Sequence, residues 1–132
     1  ARLAKTGTAL QRRYNSKNPR IHASDAFDLK AVGTSNYQPA LIELEAMASG
    51  FLVTLEPEAD NPHDKHAVRV ARHGRTLGYL PAEAAARWRK SLAAQGYADQ
   101  PVDCRARVTI SHGHERRGLR LDLDWPVKID PR

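Results

Sequence analysis

The run Asp60-Asn61-Pro62-His63-Asp64-Lys65-His66-Ala67-Val68-Arg69-Val70 forces a chain reversal directly before a strand with one buried side. The residue before a proline is driven out of the helical region, and Pro62 presets its own φ for a turn. Asp60, Asn61 and Asp64 carry short polar side chains that hydrogen-bond turn backbone, which accounts for them without a ligand. His63, Lys65 and His66 are not turn formers. Beside the two aspartates they place donors and acceptors suited to a sugar or phosphate at the mouth of the strand. From Ala67 to Ala71, Val68 and Val70 alternate with Arg69, the period of a half-buried strand. His73-Gly74-Arg75 then forms a tight turn into Thr76-Leu77-Gly78-Tyr79-Leu80, completing a hairpin that holds the polar turn at one end of a sheet.

The same reading extends to the flanks. Phe27 to Val32 reads as a first strand with Phe27, Leu29 and Ala31 on one side, and Gly33 allows a sharp exit. Pro39 to Ala48 is rich in helix formers and closes at Gly50, predicting a short helix. Phe51 to Leu55 alternates as a second strand. Pro81 opens a clearer helix, Ala82 to about Gln95, with Gly96 beyond its end. Ala84, Ala85, Trp88 and Leu92 share one face there, so Trp88 reads as a core anchor, with base stacking as its alternative. Cys104, Ala106, Val108 and Ile110, then Leu119, Leu121, Leu123 and Trp125, alternate with polar residues as two further strands. A charged loop, His112 to Gly118, joins them. The chain is therefore expected to be mainly β with two helices, an α+β fold built as a small OB-like or SH3-like curled barrel of about six strands.

Charge divides this chain of 132 residues into blocks. The first 24 residues hold six bases and no acid, with few large apolar side chains, and predict a basic flexible arm, with a short helical turn around Ala9 to Tyr14, ahead of a domain over 25–132. The remainder holds 15 bases and 15 acids, yet Asp25 to Asp64 has eight acids and one base, whereas Lys65 to Lys90 has seven bases and one acid. These blocks either pair across the fold or leave a basic face of Lys65, Arg69, Arg72, Arg75, Arg87, Arg89 and Lys90 for a polyanion. The single cysteine, Cys104, lies on a buried strand face and reads as a core thiol. No apolar run approaches the ~20 residues of a membrane helix, so no membrane partner and a cytoplasmic location are expected.

Three ordered blocks resemble the HIRAN domain: Val32-Gly33-Thr34-Ser35-Asn36-Tyr37-Gln38, Asp60 to Val68, and Leu77-Gly78-Tyr79-Leu80-Pro81. This β-rich module stands at the front of helicase-like transcription factor and related DNA-repair ATPases, and also occurs as free-standing bacterial proteins, the form this chain is most similar to. The resemblance implies a non-catalytic, OB-like nucleic-acid-binding module without a cofactor, one that captures single-stranded DNA 3′ ends in repair or replication. At this length any helicase or nuclease it serves is expected on a separate chain. By the matching motifs, Asp64 would accept a hydrogen bond from the terminal 3′-hydroxyl. Asn61 and His63 would shape the pocket, Tyr37 with Ser35 and Asn36 would line it, and Tyr79 would close it. The chain departs from the eukaryotic pattern: Ser35 and Asn36 stand for an arginine and a tyrosine, His63 for a tyrosine, and Ala82 for a lysine. Those exchanges imply weaker binding or a different ligand.

Two other classes remain open on the residues. A metal-dependent hydrolase acting on nucleic acid or a phosphoanhydride could use Asp60, His63, Asp64 and His66, with His112 and His114, around zinc or manganese. No zincin or paired-cysteine signature accompanies them, and neither a nucleophile elbow nor a phosphate-binding glycine loop occurs. A protein-interaction module would use the acidic block or the basic arm instead.

Overall fold

The computed structural model describes residues 7–111, 113 and 115–130. Its strands are β1 (Arg20–Ile21), β2 (Leu29–Lys30), β3 (Phe51–Pro57), β4 (Val68–Arg72), β5 (Arg75–Tyr79), β6 (Val102–Ile110), β7 (Arg117–Leu121) and β8 (Ile129–Asp130). Helix α1 spans Gln38–Leu44 and α2 spans Ala82–Ala94. Six strands follow the order β2-β7-β6-β3-β4-β5, and all of these pairings are antiparallel. The path curls until its ends touch, where Val32 N–H donates to the Tyr79 carbonyl at 2.8 Å and Tyr79 N–H returns the bond at 2.9 Å. Gly78 permits this approach, since a Cβ there would lie 2.9 Å from the Val32 oxygen. The protein is thus a curled half-barrel, mainly β with two helices.

The core follows the alternation. Val53, Leu55, Val68, Val70, Leu77, Val102, Cys104, Ala106, Leu119 and Leu121 fill it, and α2 closes one side with Ala85, Trp88 and Leu92. Those three positions repeat at helical spacing on one stripe. Trp88 is completely buried, which makes it a core residue and removes it as a stacking platform. Burial pushes the Cys104 thiol far above its ordinary range, aided by the Asp122 charge, so it stays protonated and inert.

The structure differs from the sequence expectations in four places. The flexible arm expected over 1–24 is an ordered strap from residue 7 onward: Leu10 is fully buried, Pro19 and Ile21 are buried, and β1 pairs in parallel with β6 and antiparallel with β8. Composition did not announce this because the barrel supplies the anchor. Arg72 donates from Nε to the Leu10 carbonyl at 2.7 Å, from Nη1 to Leu52 at 2.5 Å and from Nη2 to Arg12 at 2.8 Å. The strap covers Thr54 and Asp103, cross-strand partners on β3 and β6, where Thr54 Oγ1 donates to Asp103 Oδ1 at 3.0 Å. Tyr14 hydrogen-bonds Thr54, and Asn18 donates to Asp103, so two polar side chains on the outer face become buried.

The first strand is shorter than its expected Phe27–Val32. Asp25 and Phe27 both take positive φ, because the buried Asp122 carboxylate gathers the backbone N–H groups of Ser24, Asp25 and Phe27. The same capture ends β7 at Leu121, before the expected Trp125. Helix α1 ends at Leu44 instead of Ala48, and a short 3-10 turn over Thr34–Tyr37 precedes it, entered through Gly33 at φ 71°.

Candidate nucleic-acid interface

The motif turn is built by its own side chains. Asn61 Oδ1 accepts from His63 N–H at 2.9 Å and from Asp64 N–H at 3.1 Å, while Asp64 Oδ1 accepts from His66 N–H at 2.8 Å. Ala67 N–H donates to the Asp64 carbonyl, and Glu58 N–H to the Ala67 carbonyl, which delivers the chain into β4. Asn61 Nδ2 also donates to Glu58 Oε1 at 3.0 Å, and the Tyr79 hydroxyl donates to that oxygen at 3.1 Å. Glu58 therefore fastens the turn to the end of β5. The motif blocks begin only at Asp60 and leave Glu58 out; its position two residues ahead of Asp60 was the available signal.

Tyr37 reaches the same rim from the 3-10 turn. Gln38 holds that turn against β7, donating from Nε2 to the Thr34 carbonyl at 2.9 Å and the Arg117 carbonyl at 2.7 Å, and accepting from Arg117 N–H at 2.8 Å. The Tyr79 phenol is pushed up to about 12, first by burial, then by its hydrogen bond to Glu58 and the charges of Glu58 and Tyr37, against a smaller opposing pull from Arg69. A raised pKa means that the stabilisation from neutral Tyr79 is complete below its unfolded value of ~10 and is lost as pH climbs through the folded one. Glu58→Gln removes both the charge and the strong acceptor, so spectrophotometric titration should show one phenol moving back toward ~10. An unchanged titration curve would break the proposed link between Glu58 and Tyr79.

Two of the expected site residues, Asn61 and Tyr79, gather on Glu58, and Tyr37 lies close enough to Tyr79 for its charge to act on that phenol. Asp64 is half-buried beside them with one oxygen engaged in its own turn, and His63 is exposed. Ser35 and Asn36 are exposed on the 3-10 turn. Ser35 lines a groove of about 310 Å³ shared with Gly33 and Thr34 and with Lys30, Arg116 and Arg117, three basic residues outside the motif blocks. Val32, 45 % exposed, adds an apolar surface beside Tyr79.

The expected basic face does not form as a unit. Arg72 is 2 % exposed and lies inside the fold, its guanidinium 5.0 Å from the Tyr14 ring centre and 5.6 Å from that of Phe51. Arg69 bonds Glu56 at 2.5 Å and Thr76 at 2.8 Å, Arg75 pairs with Glu43 at 3.3 Å, and Arg89 pairs with Asp99 at 3.0 Å. Arg87 stacks over Trp125 at 4.3 Å. Much of the charge segregation thus resolves as pairing across the fold, with Lys65 and Lys90 exposed.

Among the described residues no three His, Cys, Asp or Glu side chains converge on a point that could hold a metal ion. Asp60, His63, Asp64 and His66 share the turn without forming such a centre, and His112 and His114 lie outside the described residues. No helix among those residues is long and apolar enough to cross a membrane.

A curled half-barrel with aromatic and polar side chains at one rim, reached by a Gly-led turn and a Pro-led turn, defines a small β-module. Residues 24–129 match the HIRAN domain, and the chain belongs to that family of nucleic-acid-binding modules. No curated protein and no solved structure gives a match to the chain.

Proposed function

We propose that this chain is a non-catalytic module that binds single-stranded DNA at free 3′ ends, working in repair or replication beside a helicase or nuclease on another chain. The observation that carries this reading is the hydrogen-bonded tie from Asn61 through Glu58 to Tyr79, which sets the turn bearing Asp64 next to two tyrosines. Glu58 is already engaged with Tyr79 and Asn61, whereas the half-exposed Asp64 commits one oxygen to its own turn and would turn the other to an incoming hydroxyl. A carboxylate accepts from a free hydroxyl and repels a continuing phosphodiester, so one group rewards an end and penalises an interior position. Tyr37 and Tyr79 would stack on the terminal bases, each worth about 1–3 kcal/mol irrespective of base. His63, Asn36 and Ser35 would border the bound nucleotide. No cofactor is required for this role, and a cytoplasmic setting suits it.

The test is a direct titration with one short oligonucleotide ending in either a 3′-hydroxyl or a 3′-phosphate. The hydroxyl form should bind about tenfold more tightly, the size of one charge-assisted hydrogen bond. Asp64→Ala should bring the two forms together. Equal binding of both by the unaltered protein would overturn the proposal.

A further inference from the structure

The strap carries a second feature at the opposite end of the β4–β5 hairpin from the motif turn. Between residues 12–18 and the His73-Gly74 turn lies an open groove of about 590 Å³, whose walls include Arg12, Arg13, Tyr14, Lys17 and His73. Arg12, Arg13 and Lys17 are exposed, and none takes part in an ion pair among the described residues. One acid shares the wall, Glu56, and Arg69 already neutralises it at 2.5 Å. Asp103 lies beneath, fully buried, with Oδ1 bonded to Asn18 and Thr54. Tyr14 is half-buried with its ring centre 5.2 Å from that of His73, the two rings tilted by 55°.

This arrangement is a built surface rather than a charged tail. Arg72 holds the Arg12 carbonyl from within the fold and His73 Nε2 lies 3.0 Å from the same oxygen, so the backbone presenting the three cations is pinned on two sides. Side-chain cations on a fixed backbone, next to aromatic rings, make the combination that tracks a sugar-phosphate chain while tolerating any base. Its three cations and Tyr14 precede residue 24, where the HIRAN match begins, while His73 lies within the matched range.

We propose that this groove is a second nucleic-acid site, taking the phosphodiester backbone of the same single strand whose end sits at the Tyr37–Tyr79 rim. The inference rests on the functional reading above and adds a separate set of residues to it. The five residues of β4 separate the two sites, roughly 17 Å at 3.3 Å per residue. A stacked strand covers that span in about five phosphates at 3.4 Å each.

The experiment compares oligothymidines of three and of about 12 nucleotides, the longer within the site size of a single OB-type barrel, against the unaltered chain and a triple variant, Arg12→Ala, Arg13→Ala, Lys17→Ala. The longer strand should bind the variant at least about tenfold more weakly near 0.1 M salt, and its logarithmic salt dependence should flatten by about two, at ~0.7 per lost phosphate contact. The trinucleotide and the preference for a 3′-hydroxyl should be unaffected. An identical salt slope in variant and unaltered chain overturns this inference alone. Failure of the unaltered chain to bind either strand overturns the functional reading with it. A second measurement needs no variant: saturating long oligonucleotide should slow acetylation of the Lys17 amine, and an unchanged rate counts against the site.

Discussion

Arg72→Ala is expected to destabilise the protein by about 3–5 kcal/mol, since it strands three backbone carbonyls that a charged donor satisfied, at about 1–3 kcal/mol each. Its guanidinium is nearly inaccessible, lowered in pKa by burial, and bonded to three backbone carbonyls, two of which belong to the N-terminal strap. Loss of this fork leaves the carbonyls of Leu10, Leu52 and Arg12 without their donor and opens the space between Tyr14 and Phe51. The strap should then detach before the barrel unfolds, because Leu10, Pro19 and Ile21 are its few apolar anchors. Urea unfolding reads the stability change, and brief trypsin digestion reads detachment, as faster cleavage after Arg12 and Arg13. Arg72→Lys keeps the charge, yet one ammonium cannot reproduce a planar fork to three acceptors, so it should recover less than half the loss. A trypsin pattern and unfolding midpoint equal to those of the unaltered chain would refute the anchoring role.

Asp122→Asn should cost on the order of 3 kcal/mol at neutral pH, since hydrogen bonds to a charged acceptor contribute about 1.5–3 kcal/mol each. Asp122 is 1 % exposed and accepts from Ser24 Oγ at 2.7 Å, Asp25 N–H at 2.9 Å, Ser24 N–H at 3.1 Å and Phe27 N–H at 3.4 Å. Burial alone would raise its pKa, but the donors from Asp25, Ser24 and Phe27 together outweigh it and hold the carboxyl below its ordinary value. An asparagine presents its own N–H₂ to some of these donors. The sign of the pH effect follows: a depressed carboxyl contributes stability that is complete above its unfolded pKa of ~3.9 and disappears as pH falls through the folded value. The gap in stability between unaltered and Asp122→Asn protein should accordingly be widest near neutrality and narrow below pH ~4. A gap that stays constant across that range would show that Asp122 acts by shape and not by charge.

The block from Phe51 to Ala94 was readable in advance, and its elements agree with the structure to within about two residues, as expected at element ends. Each of its signals is local. Val68 and Val70 alternate, Asn61 and Asp64 close a turn with their own side chains, Pro81 starts a helix and Gly96 follows its end. The candidate rim was readable in part, because Tyr37, Asn61 and Tyr79 sit in motif positions. Glu58 was not, since a glutamate at a strand end has no distinguishing pattern until Asn61 and Tyr79 are folded onto it. The basic face failed for the reverse reason. Charges counted along the chain carry no record of which carboxylate they will meet, and Arg69, Arg75 and Arg89 each meet one.

The amino-acid sequence by itself determined the barrel, its hairpin, its two helices and the polar turn, because hydrophobic period and turn chemistry operate over a few neighbouring residues. Tertiary structure alone decided that residues 7–24 are a strap, that Phe27 leaves the first strand and that Arg72 is an internal anchor. Those outcomes depend on desolvation and on hydrogen bonds between groups 60 or more positions apart, such as Arg72 with Leu10 and Asp122 with Ser24. The environment of a buried charge exists only once the chain has closed around it.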